Sequence, residues 1–461
     1  MEHMKRRASF HNLGCKVNSY ETEAMMQQLR KAGYEIVPFG EAADVCVVNT
    51  CTVTAVADRK SRQMLHRARE KSPGAVIVAA GCYVQDAEAV LRADPDVDLL
   101  IGNEGKSRLA QILDGWFAGR EAEAVCRISD VREYEELGMS GTHEHTRAFV
   151  KIQDGCNQFC TYCMIPYVRG RVRSRKKEEV LREIALLAGD GFREIVLTGI
   201  HLSSYGLDFR GERARLTTPY ADEAETNEDL LALIREAAAV PGVSRIRLGS
   251  LEPGIMTETF VRELSRIPEI CPQFHLSLQS GSDGVLARMK RRYRTADFAE
   301  KCALLRQYFS APAITTDLIT GFPGETEEEF TETEAFVRKI RFAKTHIFPY
   351  SRRKGTEADR MKDQVPDAVK KSRSARLIAL DEENRRAFAA SFIGSETEVL
   401  FEEPKETGGA RFLTGHTREF VPVYAVCAED LSGQTARCCG TALAEDGALL
   451  VRICREEEAH S

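Results

Sequence analysis

The stretch AFVKIQDGCNQFCTYC, residues 148–163, decides how this chain is read. Ala148–Gln153 has the pattern of a strand, and Gly155 opens a loop carrying Cys156, Cys160 and Cys163. Three thiols so close in sequence can wrap one face of a cubic iron–sulfur cluster. Such clusters usually take four Cys ligands, so three leave one iron without a protein ligand. That iron could chelate the amino and carboxylate groups of a bound molecule, much as catalytic metal sites keep one position open. The rival readings are buried thiols or a zinc loop; zinc wants a fourth ligand nearby, and His201 is the nearest downstream candidate.

Outward from this loop, the chain has 461 residues, a prior of about three domains. Apolar residues make up 43% and charged residues 29%, as in globular proteins with real cores. The net charge of −6 excludes a uniformly basic nucleic-acid coat and leaves room for local basic patches. No apolar run approaches the roughly 18 residues of a membrane span, and no apolar stretch follows Lys5, Arg6 and Arg7 to make a signal peptide. A cytoplasmic protein without a membrane partner is expected. Fourteen cysteines are too few for a disulfide scaffold, so clustered thiols point to ligands or nucleophiles.

Residues 1–125 alternate short apolar strands with helical patterns. Strands are expected at Arg7–Gly14, Asp44–Thr50, Ala75–Gly81 and Leu99–Ile101. Helices are expected at Ser19–Lys31, capped by Asn18 or Ser19, and at Ala55–Lys71, Asp86–Ala93 and Lys106–Ala118. This is the pattern of a doubly wound α/β parallel sheet. A polar linker is expected over Asp130–His145. Residues 142–376 then resume the alternation, with strands at Ala148–Gln153, Glu194–Thr198, Arg245–Leu248, Phe274–Leu278, Ile314–Ile319 and Lys344–Phe348, a count that fits a partial (β/α)6 barrel. Tyr205–Asn227 reads as a long surface loop. Residues 390–456 read as a small all-β domain with strands at Glu396–Phe401, Phe412–Thr414, Val421–Ala425 and Ala448–Ile453. Residues 392–461 hold 13 Asp/Glu against 6 Lys/Arg.

Cys15, Cys51 and Cys82 lie far apart in sequence, yet each follows a predicted strand of the first sheet. Carboxyl ends of parallel strands share one crevice, so these thiols could converge on a second cluster. Cys46 lies inside its strand and reads as core. Cys126, Cys271, Cys302, Cys427, Cys438, Cys439 and Cys454 show no ligand spacing.

The CxxxCxxC run with aromatic Tyr162 resembles the radical S-adenosylmethionine superfamily. GCNQFCTYCMIPYVRGRVRSR, Leu13-Gly14-Cys15-Lys16-Val17-Asn18, Asn49-Thr50-Cys51-Thr52 and Gly81-Cys82-Tyr83 together resemble the methylthiotransferases, over essentially the whole chain. The resemblance implies an N-terminal methylthiotransferase domain, a radical-SAM barrel and a C-terminal RNA-binding β-domain of the TRAM type. It implies two 4Fe–4S clusters, on Cys15, Cys51 and Cys82 and on Cys156, Cys160 and Cys163, with S-adenosyl-L-methionine as cosubstrate. It also implies a reductant and a sulfur donor, both unidentified. Groups holding S-adenosylmethionine should project from strand ends: Tyr162, Gly199, His201, Ser250, Gln279 and Asp317.

Arg169, Arg171, Arg173, Arg175, Lys176 and Lys177 follow the cluster loop, and Arg288, Lys290, Arg291, Arg292 and Arg294 form a second run. Arg352, Arg353 and Lys354 form a third. A charge run is usually a solvated face; near strand ends, Arg169, Arg171, Arg173, Arg175, Arg291 and Arg292 are candidates for a phosphate track. A tRNA anticodon stem-loop suits such a rim, because its unstacked bases can be splayed into a pocket, with Tyr167, Phe348 and Tyr350 as stacking candidates. In the acidic C-terminal segment Lys405, Arg411 and Arg418 are the RNA candidates. LGCKVNSYETE, LTGIHLSSYG, SLQSGSDGVLARMKRRY and DLITGFPGETEEEF resemble most the branch that methylthiolates N6-threonylcarbamoyladenosine beside the anticodon, at position 37. Isopentenyladenosine in tRNA and a ribosomal-protein aspartate are the substrates of the alternative branches.

Overall fold

In the computed structural model, residues 5–121, 124–138, 146–211, 227–407, 410–427 and 429–454 are described. The first sheet contains β1 (Arg7–Asn12), β2 (Glu35–Val37), β3 (Val45–Thr50), β4 (Val76–Gly81) and β5 (Leu99–Ile101), all parallel in the order β2-β1-β3-β4-β5. Alternate residues of β3 and β4 enter two different cores: Val45, Val47, Val76 and Val78 on one side, Cys46, Val48, Ile77 and Ala79 on the other. Burial on both faces is why these strands read as unbroken apolar runs. Helices α1 (Lys16–Lys31), α2 (Ala55–Lys71), α3 (Cys82–Arg92) and α4 (Leu109–Phe117) cover them.

Several boundaries differ from the sequence expectation. α1 begins at Lys16 with Cys15 as its N-cap, not at Asn18 or Ser19. Asn18 instead turns inward, its amide donating to Leu13 O and Thr50 O. β1 ends at Asn12, because Gly14 adopts φ +105° where a Cβ would stand 2.9 Å from Cys51 Sγ. α3 starts at Cys82 and is distorted at Ala87. The short strand β2 escapes sequence reading. So does the packing of the polar stretch before residue 139: Tyr134 donates to Lys151 O, Glu136 pairs with Arg175, and Leu137 is buried against Tyr20 and Ala24. Residues 139–145 of the expected linker lie outside the described residues.

The central region has parallel strands β6 (Ala148–Asp154), β8 (Glu194–Gly199) and β9 (Arg245–Leu248), with the short antiparallel β7 (Arg173–Ser174) beside β6. β10 (Gln273–His275), β11 (Ala313–Thr320) and β12 (Lys344–Pro349) form a second parallel set. Bridges Ile246↔Ile270 and Leu251↔Leu276 join the two sets, and Gln279↔Leu318 extends the second. Side chains from all six parallel strands line one cavity of about 740 Å³, so the strands wrap around a common interior. The expected surface loop at Tyr205 begins in the core: Tyr205 is 2% exposed and donates to Arg175 O. Residues 212–226 of that loop lie outside the described residues.

The last region is a closed barrel of β13 (Glu396–Thr407), β14 (Ala410–Thr417), β15 (Pro422–Ala425), β16 (Thr435–Leu443) and β17 (Leu449–Ile453). β16 was not legible, because TARCCGTAL is rich in small residues of weak strand propensity. The barrel docks on the amino ends of the central strands. Arg245 pairs with Glu398, Arg147 with Glu402, and the Phe420 ring lies under both Arg147 and Arg247, at 4.8 and 4.7 Å. Arg418, expected on RNA, donates instead to Pro268 O and Ile270 O.

First sheet and central region are joined by buried charges. Glu21 of α1 accepts from Lys106, Lys151 (2.7 Å) and Arg169 (2.8 Å). Asp154 at the end of β6 accepts from Lys151 (2.7 Å) and Arg169 (3.1 Å). These cations hold both carboxyl groups below their usual pKa, against burial that acts to raise it. Removing one partner of such a network strands a buried charge, so Arg169→Leu should cost about 3–5 kcal/mol in urea unfolding. A depressed folded pKa stabilises above the unfolded value of about 4. Wild-type stability should therefore fall as pH drops below about 4, and the variant should show a weaker acid dependence.

Candidate functional site

Each cysteine trio is assembled by backbone turns at strand ends. Gly155 has φ +73°, and a Cβ there would stand 1.9 Å from Arg171 O, so only glycine lets the loop leave β6 at this angle. The Cys156 amide then donates to Gly170 O (3.0 Å) and the Thr161 amide to Met289 O (3.2 Å). Phe159 takes the left-handed conformation at φ 49°, its ring under the Arg171 guanidinium at 4.4 Å. Helix α5 (Ile165–Val168) follows Cys163 directly.

The other trio sits at the carboxyl ends of β1, β3 and β4, beside the point where strand order reverses, the usual ligand crevice of such sheets. Cys82 packs against Met164 and Val168, which flank and close α5. Cys15 and Ile165 both line the cavity inside the strands.

Both trios suit a polynuclear cluster better than a single ion. Cys51 lies within electrostatic reach of Cys15 and Cys82, and Cys156 of Cys160 and Cys163. Among the described residues, neither trio has its three sulfurs within 4.8 Å of one another. A zinc ion with Zn–S bonds of about 2.3 Å would need sulfurs less than about 4 Å apart. Donors also point at the sulfurs: Arg291 Nη1 to Cys160 Sγ at 3.1 Å, the Gln158 amide to Cys156 Sγ at 3.5 Å, Asn103 Nδ2 to Cys82 Sγ at 3.3 Å. Such hydrogen bonds tune cluster potentials. Burial pushes the Cys51 thiol up to about 11 and the Cys163 thiol up to about 12, so loading metal here releases protons.

Of the residues expected to hold S-adenosylmethionine, Gly199, Ser250 and Asp317 line the shared cavity. Gly199 packs on Gln153, whose Oε1 accepts the His201 amide at 2.8 Å. His201 Nδ1 meets Ser204 Oγ at 2.6 Å and its Nε2 lies 3.8 Å from Glu252. Gln279 adopts φ +73°, a strained value for a residue with a side chain, and its amide donates to Asp317 O. Tyr162 packs in the small cluster of Val285 and Phe322. The pair Glu252–Arg291, which touches Cys160, went unrecognised in sequence.

The phosphate track is corrected. Arg169, Arg173, Arg175 and Arg291 are at most 5% exposed and pair with Glu21, Asp154, Glu136, Glu183 and Glu252. Arg173 faces inward where β7 pairs with β6. Arg171 is partly exposed over Phe159, and Arg292 is exposed. Arg288 pairs with Glu329, Lys290 with Glu357, and buried Arg353 with Asp58 and Asp86. Tyr350 is buried against Phe322, whereas Tyr167 and Phe348 are exposed. A group of exposed cations without a salt bridge among the described residues lies on α2: Arg59, Lys60, Arg67 and Lys71.

The same chain matches known families in two places. Residues 7–102 match the uncharacterized protein family UPF0004, and residues 150–337 the radical SAM superfamily. Over 432 residues the chain is 41% identical to the threonylcarbamoyladenosine tRNA methylthiotransferase MtaB of Bacillus subtilis (strain 168), covering 93% of this chain and 92% of that one. It belongs to the radical S-adenosylmethionine methylthiotransferases. The corresponding MtaB of Aquifex aeolicus (strain VF5) is 38% identical over 86% of this chain and 92% of its own. A tRNA-2-methylthio-N(6)-dimethylallyladenosine synthase of Moorella thermoacetica is 35% identical, covering 92% and 93%. Among solved structures, the radical S-adenosylmethionine methyltransferase TsrM of Kitasatospora setae, crystallised with a [4Fe-4S] cluster and cobalamin, shares the fold at TM-score 0.55 and 16% identity, covering 75% of each chain.

The enzyme uses S-adenosylmethionine and 4Fe–4S clusters, and the two cysteine trios fit them. Anaerobic reconstitution should give about eight irons per chain. Replacing Cys15, Cys51 and Cys82 by Ala should leave about four irons and intact 5′-deoxyadenosine formation, whereas replacing Cys156, Cys160 and Cys163 should abolish that formation.

Proposed function

We propose that the enzyme converts N6-threonylcarbamoyladenosine at position 37, beside the anticodon of tRNA, to its 2-methylthio derivative. The observation that carries this reading is the 41% and 38% identity, over most of the chain, to two threonylcarbamoyladenosine tRNA methylthiotransferases; the two cysteine trios, with Cys15 and Ile165 lining the cavity inside the strands, support the shared chemistry. When bound, the clusters and S-adenosylmethionine supply the radical that opens the C–H bond at C2 and the sulfur that replaces hydrogen. Cys156, Cys160 and Cys163 hold one cluster, and Cys15, Cys51 and Cys82 the other. Gly199, His201, Ser250, Gln279, Asp317 and Tyr162 surround the methionine cosubstrate. Arg291 holds Glu252 toward His201 and places its guanidinium on Cys160.

Three units divide this work: residues 1–125 as methylthiotransferase domain, 142–376 as a partial (β/α)6 radical-SAM barrel, and 390–456 as a TRAM-like β-domain. The protein acts in the cytoplasm, with a reductant and a sulfur donor as further partners. No helix among the described residues is long and apolar enough to cross a membrane. Phosphates of the anticodon stem run along α2, which starts just beyond Cys51, with partly exposed Arg171 and exposed Arg292 as further contacts. Exposed Val53, Tyr167 and Phe348 offer apolar surface to splayed bases.

Tandem mass spectrometry of tRNA nucleosides from a strain lacking this gene should show loss of 2-methylthio-N6-threonylcarbamoyladenosine. Loss of the 2-methylthio-isopentenyl nucleoside, or of methylthiolated ribosomal aspartate, would overturn the reading. Changing Arg59, Lys60, Arg67 and Lys71 together to Gln should weaken tRNA binding and reduce the slope of log affinity against log salt by up to about 3. Cofactor cleavage in the absence of tRNA should persist.

A further inference from the structure

Lys16 is the first residue of α1 and follows directly after Cys15. It lines the cavity inside the parallel strands, opposite Arg147 and Arg247. The cavity's arginines are already neutralised. Arg247 is held by Glu194 at 2.8 Å, Arg147 by Glu194 and Glu402, and Arg385 by Glu382. Glu194 lies within electrostatic reach of Lys16, but its oxygens are committed to Arg147, Arg245 and Arg247. No carboxylate stands within salt-bridge distance of Lys16 among the described residues. The cavity thus presents, next to Cys15, an ammonium group that makes no salt bridge among the described residues, with the carboxylates of Asp317 and Glu419 elsewhere in the same lining.

We propose that Lys16 receives the carboxylate carried by the substrate base. This assignment rests on the threonylcarbamoyl reading above, since that N6 substituent ends in a free carboxylate and the dimethylallyl group does not. The anion has to be on the base. The cavity inside the strands, which also holds residues assigned to the methionine cosubstrate, is where the base and its N6 substituent would enter, while the stem phosphates stay outside. Lys344, on the outer strand β12, is the other lining cation without a salt bridge among the described residues. It opens β12, whereas Lys16 adjoins Cys15 in the chain. A Lys at this place also sets specificity: a carboxylate on the base gains a charge-assisted hydrogen bond that an uncharged substituent cannot make.

The test uses the reconstituted holoenzyme and an anticodon stem-loop RNA carrying N6-threonylcarbamoyladenosine, either as free acid or as its methyl ester. Wild type should bind and convert the acid about 10- to 100-fold better than the ester, the size of one charge-assisted hydrogen bond. Lys16→Gln, with iron content and visible absorbance matched to wild type, should lose that preference through weaker binding of the acid alone. Lys16→Arg should keep most of it. Equal wild-type affinity for acid and ester overturns the assignment whatever the variants do, and so does a Lys16→Gln variant that weakens both RNAs equally. A wild-type enzyme that converts only dimethylallyl-bearing RNA defeats the threonylcarbamoyl reading itself, and the assignment with it.

Discussion

The structure depends on a set of buried charges with no route to water. Glu21 and Asp154 come from different regions of the chain, and Arg169 and Lys151 bind both. Taking so many charges out of water costs several kcal/mol for each ion, recovered only by near-ideal pairing. That cost makes the arrangement intolerant of displacement. A rotation of the first sheet against the central strands would break several short contacts at once and leave charges unpaired. Arg169 also donates to Asn18 Oδ1 at 2.6 Å and lies in the field of Cys15 and Cys82. The pairing that joins the two regions therefore fixes where the N-terminal thiols stand relative to α5.

This accounts for the distribution of arginine. A chain that binds a polyanion is expected to show its cations, yet the densest basic run is turned inward. Arg175 bridges Glu136 and Glu183, with the Tyr20 hydroxyl on the same carboxylate. Arg353 crosses from beyond β12 to Asp58 and Asp86 beside Thr52. Guanidinium groups suit such internal bridges because a planar fork satisfies two carboxylates without losing its charge. Four exposed cations without a salt bridge among the described residues fall on α2, whose buried face needs only Ser61, Leu65 and Ala68.

Three parts of the chain enclose the cavity. Gly14, Cys15, Lys16 and Val53 come from the first sheet's crevice, the walls from the six parallel strands, and the far end from Phe420, Val421 and Pro422. The acidic C-terminal barrel thus uses Glu398 and Glu402 to dock on Arg245 and Arg147. Its negative balance, unexpected for a module that grips RNA, is explained in part by that docking.

Much of the fold was legible in sequence because its signals are local. Val45–Thr50 and Val76–Gly81 announce doubly buried strands by composition, and Ala55–Lys71 announces its helix by period and by Thr54 at its cap. The Cys156 loop is local too: three thiols within one turn of chain can do little else than share a ligand. What sequence could not decide is which way a charged side chain faces. Arg169 and Arg171 stand two residues apart in one basic run, yet one is fully buried among carboxylates and the other rests on an aromatic ring at the surface. The partners that decide this, Glu21 and Phe159, are separated from each other by more than a hundred residues, and only the packing of the first sheet against β6 brings Glu21 to Arg169. The same holds for Lys16, whose place in the chain shows a helix start and whose place in the fold shows a charge facing a cavity. Short-range periodicity and spacing set the elements and the metal-binding loop, whereas electrostatic pairing is a long-range property that exists only once those elements have met.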